Sequence, residues 1–386
     1  MISQVEQTIY RLNNLDKTQQ KLNYQLSTKQ QLENGSDDSV LFGRITSAQD
    51  KVRTFEGIKT IVERTKVQND MSDSSLKEAK NLLTFIKSEL MKANTDTTGD
   101  DGLKSIAVVL AGTRENLLTL ANTQVEGEYL FSGSDSSKKP FVEVNGKISY
   151  VGDNKLRRVA VEEGSYRDRG VNGFDAMMYS SSVAYKGNDL IFTETDRILD
   201  QDGNEWKLDM NSATPPSPAL PLTLRKYDLD GNSTINTITP VTFDGTTNTY
   251  TITTPSDVGT KFEAKTSIFD LMNSVINTLN MVDEVGNPIS RDIVRDNLAK
   301  QIDAIDQSFD DMNITHADLG AKNKVFETAL ESIDSKLVQY KKLEEALSSA
   351  DLTEVAIQIK ALELTYTAMY STVARTNELS LVNFMK

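Results

Sequence analysis

The chain has 386 residues, and its 42 Lys and Arg residues against 56 Asp and Glu residues give a net charge of −14. An acidic balance spread along the chain argues against nucleic acid as a partner, because phosphate binding needs basic patches. The chain has no Cys, which excludes disulfides, thiolate zinc sites and a thiol nucleophile. No apolar run approaches the roughly 20 residues of a membrane span, and the first residues lack the pattern of a cleaved signal peptide. We therefore expect no nucleic acid and no membrane as a partner.

The first segment, up to about residue 135, is predicted to be helical. It contains no Pro, and its apolar residues recur at alternating steps of three and four, the spacing of a coiled-coil seam. Ser36, Asp37 and Asp38 offer a cap and acidic residues at the start of a second helix. Gly35 and Gly43 predict a break between the first and second helices. Later apolar stripes run over 76–90 and 103–120. The apolar positions of the first stripe include Val5, Leu12, Leu15, Leu22 and Leu26.

The middle of the chain, residues 136–264, is predicted to be rich in β structure. It holds seven of the eight Pro residues, and turn dipeptides punctuate it. Strand–turn–strand patterns occur at 141–151 and 242–253, where Thr and Val are frequent. The turn dipeptides are Asn145-Gly146, Asp202-Gly203, Asp230-Gly231 and Asp244-Gly245.

The last segment, from about residue 265, returns to the helical pattern. Asp351, with Glu354 three residues later, is a capping signal for the final helix. The apolar stripe of that helix consists of Val355, Ile359, Leu362, Tyr366, Met369 and Val373, and Leu381 and Phe384 follow near the end.

These patterns predict a mainly α fold with an inserted β-rich domain. Both chain termini should form long antiparallel helices in a coiled coil, because the segments that flank an inserted domain return to the same body. We expect three parts. Residues 1–40 and 350–386 form a terminal coiled-coil segment that is mobile in the monomer, 41–135 and 265–349 form a helical core domain, and 136–264 form a β-rich outer domain.

Catalytic chemistry has little support in the sequence. His316 is the only His, so a Ser-His-Asp triad or a multi-histidine metal centre has no further partner, and we interpret it as a structural helix residue. The acidic stretches at 200–204 and 228–232 lack the Gly and Glu positions of an EF-hand loop and are interpreted as turns. We expect no enzyme activity, no metal and no cofactor.

The two terminal stripes favour an assembly interface over an ordinary core. Chain ends are normally polar and frayed, whereas here they carry apolar residues that no further helix in the sequence covers. The predicted interface consists of Val5, Leu12, Leu15, Leu22, Leu26, Val355, Ile359, Leu362, Tyr366, Met369, Val373, Leu381 and Phe384.

Long helical ends around a variable β-rich middle resemble the flagellin family. The segment 121–133 is similar to a motif of the hook-filament junction subunits in that family, and 379–385 is similar to their short apolar tail. The similarity covers roughly 1–155 and 265–386. The motif residues are Asn122, Gly127, Tyr129, Leu130, Phe131, Ser132 and Gly133.

The resemblance implies a structural subunit that is secreted unfolded through the flagellar type III pathway with a dedicated export chaperone. Such subunits self-associate in a tubular ring, with the first hook-associated protein on the hook side and flagellin on the filament side. Their terminal helices form the inner coiled-coil wall, and the middle domain faces outward.

Three other classes of protein stay open at this point. A flagellin filament subunit shares the architecture but does not normally carry the Tyr129–Gly133 motif. A type III secretion tip or translocator protein is also helical and Cys-free, although a longer apolar span is expected of it. An enzyme would need a catalytic site made of several polar residues, which a single His does not supply.

Overall fold

A computed structural model describes residues 2–144, 146–209, 222–227, 233–238, 240–245, 247–255 and 261–384. The chain divides into two compact units, residues 1–60 with 330–386 and residues 61–329. Among the described residues, no helix is long and apolar enough to span a lipid bilayer. The helices are α1 (Ile2–Thr28), α2 (Ser39–Ala93), α3 (Asp100–Ala121), α4 (Gly173–Met177), α5 (Ile268–Leu279), α6 (Arg291–Ser348) and α7 (Leu352–Phe384).

Both predicted acidic helix caps are confirmed. Asp38 Oδ1 accepts hydrogen bonds from the backbone N–H groups of Val40 (3.1 Å) and Leu41 (2.9 Å) at the start of α2. Asp351 Oδ1 accepts one from the N–H of Thr353 (2.9 Å) at the start of α7. Each cap satisfies N–H groups that the first helical turn leaves without a partner.

The predicted break between the first two helices lies at 29–38, and the prediction was wrong for Gly43. Gly43 lies inside α2, four residues beyond its first residue. The cost of one Gly inside a helix is only about 1 kcal/mol relative to Ala. In a helix of 55 residues that begins at a capped turn, the hydrogen bonds on either side outweigh that cost.

The strands form antiparallel pairs throughout the described sheets. The strands are β1 (Gln124–Val125), β2 (Glu128–Tyr129), β3 (Phe141–Val144), β4 (Lys147–Tyr150), β5 (Arg157–Glu162), β6 (Ser165–Arg169), β7 (Met178–Tyr185), β8 (Asp189–Phe192), β9 (Arg197–Asp200), β10 (Glu205–Asp209), β11 (Thr223–Tyr227), β12 (Ser233–Ile238), β13 (Thr242–Asp244), β14 (Thr249–Thr253) and β15 (Lys261–Ser267). A six-stranded sheet has the order β12-β11-β10-β9-β15-β7, a three-stranded sheet has the order β13-β14-β8, and β1-β2, β3-β4 and β5-β6 are separate hairpins.

The two predicted strand–turn–strand patterns are confirmed. Phe141 of β3 lies opposite Tyr150 of β4, and Phe243 of β13 lies opposite Tyr250 of β14. The strands begin at 124 and end at 267, so β structure extends past both sides of the 136–264 range. The fold class, mainly α with an inserted β-rich region, is also confirmed.

Two apolar cores are seen in the described part of the unit of residues 61–329. The helical core takes most of its residues from α2, α3, α5 and α6, and includes Leu83, Leu110 and Phe269, all fully buried. The second core lies in the sheets, where Trp206 packs edge-on against Phe262 with ring centroids 5.3 Å apart. Burying one such large apolar side chain stabilises the fold by about 1.5–3 kcal/mol.

A ladder of polar contacts fixes the register between α2 and α6 in this unit. Lys80 Nζ donates to Asn313 Oδ1 (3.0 Å), and one heptad further along α2 Lys87 Nζ contacts Asp306 Oδ1 (2.6 Å). Since a step of seven residues forward along α2 is a step of seven backward along α6, the two helices are antiparallel with a heptad register. His316 belongs to the same face, with its Nε2 2.7 Å from Asp73 Oδ1.

Candidate functional site

The apolar residues of α1 and α7 form one small core in the unit of residues 1–60 and 330–386. Leu22 and Leu362 are 3% and 8% exposed, and Val355 is also buried. Residues of α7 at steps of three and four therefore meet residues of α1 a heptad apart, as expected of a coiled-coil pair. We call this cluster the terminal seam. It consists of Leu15, Leu22, Ala350, Val355, Ile359, Leu362 and Tyr366.

Backbone hydrogen bonds close one end of the terminal seam. The N–H of Gln31 donates to Ser348 O (2.7 Å), and the N–H of Ala350 donates to Lys29 O (3.0 Å). The side chain of Gln25, itself buried, donates through Nε2 to Gln31 O (2.7 Å). The connection after α1 and the connection before α7 therefore hold each other, which sets where the two terminal helices start and stop relative to one another.

Further along the pair, Tyr366 of α7 donates its hydroxyl hydrogen to Asp16 of α1. This hydrogen bond, together with the neighbouring Asp16 charge, raises the pKa of Tyr366 to about 12. Tyr366 also stacks on Tyr370, with ring centroids 6.3 Å apart. The hydrogen bond adds a directional contact to the apolar packing, so it favours one register of α7 on α1.

The structure brings together only part of the predicted interface set. Leu15, Leu22, Val355, Ile359, Leu362 and Tyr366 meet in the terminal seam. Leu12, Met369 and Val373 are half-buried, and Leu26 is 48% exposed. The side chains of Val5, Leu381 and Phe384 lie outside the described part of the chain.

A second apolar stripe on the terminal helices was missed by the sequence reasoning. Ile357 and Leu364 of α7 are 65% and 72% exposed although both are large and apolar. They lie one heptad apart, so their spacing could have revealed them. Exposed apolar side chains that recur along one helix mark a surface that a partner can cover. Further exposed apolar residues in the terminal helices are Ile9, Tyr10 and Tyr370.

The predicted family motif begins at the end of α3, where Asn122 joins the helix to a hairpin. Asn122 Oδ1 accepts a hydrogen bond from the N–H of Phe141 (3.0 Å), and its Nδ2 donates to Phe141 O (3.1 Å). Gly127, with φ of +82°, forms a two-residue turn with Glu126, which also has positive φ. Such a turn matches the twist of the strands that it connects.

The second half of the motif packs into the helical core. Phe131 is fully buried and Ser132 is also buried. The backbone O of Phe131 accepts from the N–H of Gly173 (2.7 Å) and lies 3.1 Å from the Tyr150 hydroxyl. Burial of Tyr150 raises the pKa of its hydroxyl, so the hydroxyl stays protonated and can donate. Tyr129 and Leu130 are half-buried.

Gly133 ends the motif at a position that only Gly fits. Its φ is +86°, and a Cβ added there would lie 2.6 Å from the backbone O of Asp153, with Asp153 Oδ1 closer still. The Asp153 carboxylate accepts from the N–H of Ser134 (2.8 Å) and of Lys155 (3.0 Å). The absence of a side chain at Gly133 thus leaves room for the Asp153 carboxylate, which binds the backbone at Ser134 and at Lys155.

A cluster of charged residues around Glu128 was not predicted. Glu128 of β2 accepts hydrogen bonds from Arg157 Nη1 (2.9 Å) on β5 and Arg169 Nη2 (2.8 Å) on β6. It also accepts from Gln68 Nε2 (3.1 Å) on α2. Its partners come from three distant stretches of sequence, and sequence spacing therefore gave no signal for them.

The pKa of Glu128 reports how strongly this cluster holds the carboxylate. Partial burial alone would raise the pKa. Hydrogen bonds from Arg169 and Gln68, with the positive charges of Arg157 and Arg169, outweigh that effect and lower the pKa of Glu128 to about 2. The carboxylate is therefore charged at neutral pH and ties two hairpins to α2.

A stripe of buried polar residues on α2 faces this cluster. The buried face of α2 is apolar up to Val62 and again from Leu76 onward, but between them it is polar. Thr65 and Ser72 satisfy their hydroxyls on the backbone four residues earlier, at 2.9 Å and 3.1 Å. Their burial was missed because polar residues are normally assigned to solvent-facing positions. The buried polar residues are Thr65, Gln68, Asn69, Ser72 and Ser75.

The interpretation of the acidic stretch at 200–204 as a turn is confirmed. Asp200 Oδ1 accepts from the N–H groups of Asp202 (3.0 Å) and Asn204 (2.9 Å), and its Oδ2 accepts from Trp206 Nε1 (3.1 Å). The stretch at 228–232, including Asp230, lies outside the described residues, as does Asn145. Within the described part, no group of three or more His, Asp and Glu side chains is placed to hold a metal ion.

The fold of this chain is similar to that of solved flagellar hook-associated proteins. FlgL of Xanthomonas campestris shares the fold with a TM-score of 0.51 and 18% identity, over 78% of this chain and 99% of its own. Flagellar hook-associated protein-3 of Legionella pneumophila shares it with a TM-score of 0.50 and 20% identity, again over 78% and 99%. At sequence identities of 18% and 20%, these comparisons show a shared fold and nothing further.

Sequence comparison finds similarity to two proteins that carry the same name. The chain is 29% identical over 136 residues to flagellar hook-associated protein 3 of Escherichia coli, and 26% identical over 145 residues to that of Salmonella typhimurium. These stretches are 34% and 36% of this chain, and they span 41% and 45% of the relatives, less than half their length. No protein-family model matches the chain. The chain is thus similar in part of its sequence to two proteins named flagellar hook-associated protein 3, and similar in fold to solved hook-associated proteins.

Proposed function

We propose that this chain is a non-enzymatic structural subunit of the bacterial flagellum that joins the hook to the flagellin filament. The observation that carries the proposal is its sequence match to two proteins named flagellar hook-associated protein 3. The shared fold with two solved hook-associated proteins supports it, since that likeness covers 78% of this chain and includes sequence beyond the aligned stretches.

The terminal helices supply the assembly contacts in this proposal. Within one chain, Leu22 of α1 and Leu362 of α7 are buried in the same cluster, and Ile357 and Leu364 stay exposed on α7. Helices of neighbouring subunits cover that second stripe in a tubular ring. This burial stabilises the assembly by about 25 cal/mol for each Å² of apolar surface removed from water. A narrow apolar stripe gives little stability to one helix alone and much more to a packed bundle.

The partners follow from the position at the junction. The first hook-associated protein lies on the hook side, flagellin lies on the filament side, and other copies of this chain complete the ring. The chain reaches that position by secretion in an unfolded state through the flagellar type III pathway, where a dedicated chaperone protects the terminal helices. The β-rich region faces outward in the ring.

Complementation of a strain that lacks the gene tests the proposal. The strain should make hooks without filaments and release flagellin into the medium, and the intact gene should restore filaments. Leu364→Asp places a charge on the exposed stripe of α7, where a lone chain keeps it solvated but an assembled neighbour would bury it. This variant should be secreted, should melt like the wild type as a purified protein, and should fail to restore filaments.

Thr365→Asp is the matched control, because it adds the same charge one residue further along α7 at an exposed position that is already polar. It should restore filaments in electron micrographs. Normal filaments in the deletion strain would refute the role at the junction. Normal filaments with Leu364→Asp would instead show that the exposed stripe is not an assembly contact, and leave the role itself in place.

A further inference from the structure

One polar side chain in the stripe on α2 has no partner in the described part of the chain. Asn69 is 1% exposed, and its Nδ2, a donor of two hydrogen bonds, contacts no acceptor among the described residues. A buried donor without an acceptor costs about 1–3 kcal/mol. Native folds therefore pair such groups with protein atoms or with ordered water.

A small cavity adjoins Asn69 between α2 and the two hairpins that hold the Glu128 cluster. Its volume is about 20 Å³, and Asn69, Glu128, Ser136, Arg157 and Arg169 line it together with several backbone segments. A volume of roughly 10–15 Å³ is enough for one water molecule when two to four polar partners are in reach. The lining meets both requirements, with Asn69 as a donor and the Glu128 carboxylate and Ser136 hydroxyl as acceptors.

We propose that this cavity binds one water molecule as a fixed part of the structure. The water oxygen accepts from Asn69 Nδ2, and its two hydrogens point to acceptors on the hairpin side, so it bridges α2 to the hairpins. The two arginines on Glu128 exclude a cation from this cavity, and the bromide soak described below distinguishes the water from an anion. Arg157 and Arg169 both contact Glu128, and Arg64 contacts Glu126 at 2.7 Å.

The variant Asn69→Leu separates a hydrated cavity from a dry one. Leu has nearly the shape of Asn but no donor. If the cavity is dry, the change removes an unpaired buried donor and the melting temperature rises. If water is bound, the change expels it, its acceptors lose a partner, and the melting temperature falls. We expect a fall, with the loss of one long-lived water in oxygen-17 relaxation dispersion of the full chain.

Asn81→Leu on the exposed side of α2 is the matched control, and it should change neither measurement. Should Asn69→Leu fail to fold, a high-resolution crystal structure of the wild-type chain decides the matter. A density peak within hydrogen-bond distance of Asn69 Nδ2, unchanged after a bromide soak, is the expected result. An empty cavity, a rise in melting temperature, or an anomalous bromide peak at that point would each overturn the proposal.

Discussion

Phe141 forms two backbone hydrogen bonds with the side-chain amide of Asn122, one through its N–H (3.0 Å) and one through its carbonyl (3.1 Å). The amide thus takes the place that a neighbouring strand would have beside β3. The same Nδ2 also reaches Leu118 O (3.0 Å) at the end of α3. One side chain therefore ends a helix and starts a hairpin.

Replacement of Asn122 by Ala should destabilise the unit of residues 61–329 by about 1–3 kcal/mol, because two backbone groups of Phe141 lose their partner. Urea unfolding followed by circular dichroism measures the difference. Asn81→Ala on α2, where the side chain is exposed, is the control and should change stability by less than about 0.5 kcal/mol. Equal stability of both variants would show that water replaces the Asn122 amide without loss.

Gly133 and Gly127 form a matched pair for the effect of a close contact. Both have φ near +80° to +90°, so replacement by Ala costs about 1 kcal/mol or more of backbone strain at either. At Gly127 the added Cβ meets nothing within 4 Å, whereas at Gly133 it meets Asp153. Gly133→Ala should therefore lower the free energy of unfolding well beyond Gly127→Ala in the same denaturation experiment. Similar losses would mean that Asp153 moves aside freely.

Asp270, in the first turn of α5, should make the protein less stable as the pH rises through about 6. Burial raises its pKa, and the nearby charges of Asp196 and Glu284 add to that effect while Lys147 opposes it, which gives a pKa of about 6. A carboxyl whose pKa is raised on folding contributes stability that is fully present below its unfolded pKa of about 4. That stability is lost as the pH rises through the folded pKa.

Asp270→Asn should remove this loss and stabilise the protein at pH 7.5 by about 3 kcal/mol at most, with little change at pH 4. Thermal melting over pH 4–8 provides the measurement. Asp101→Asn, in the first turn of α3 and exposed, is the control and should leave the slope between pH 4 and pH 7 as it is. A variant that kept the wild-type slope would show that Asp270 is ionised without penalty.

Leu362 and Leu364 lie two residues apart on α7 but differ in exposure, 8% against 72%. Leu362→Ala should destabilise the terminal seam by about 2–5 kcal/mol through lost burial and a cavity. Leu364→Ala should have almost no effect in the purified monomer. Hydrogen exchange of amides in α1 and α7 measures both changes locally, since global unfolding would report mainly on the larger unit. Equal protection in both variants would show that Leu362 is not held by α1.

The helical ends could be predicted from sequence because their signals are local. The caps at Asp38 and Asp351 depend on residues within one turn, and the β3–β4 hairpin depends on alternation around a Gly. The break predicted at Gly43 was wrong because that prediction also used a local signal. One Gly has little effect on a long helix that is packed and hydrogen-bonded along its length. The alternating spacing of Leu15, Leu22 and Leu362 likewise shows which face of each terminal helix is apolar.

Periodicity does not show which partner covers an apolar face, and that was decided by tertiary structure. The cluster that contains Leu22 and Leu362 and the ion pair of Glu128 with Arg169 join residues that are far apart in sequence. Leu364, two residues from Leu362, stays exposed. The buried polar face of α2 also escaped prediction, because a polar residue can be buried only where distant groups satisfy it. The sequence by itself determined where the helices and hairpins form and which faces are apolar. Contacts over long separations decided which of those faces are covered within the chain and which stay exposed, because such contacts depend on how whole elements pack.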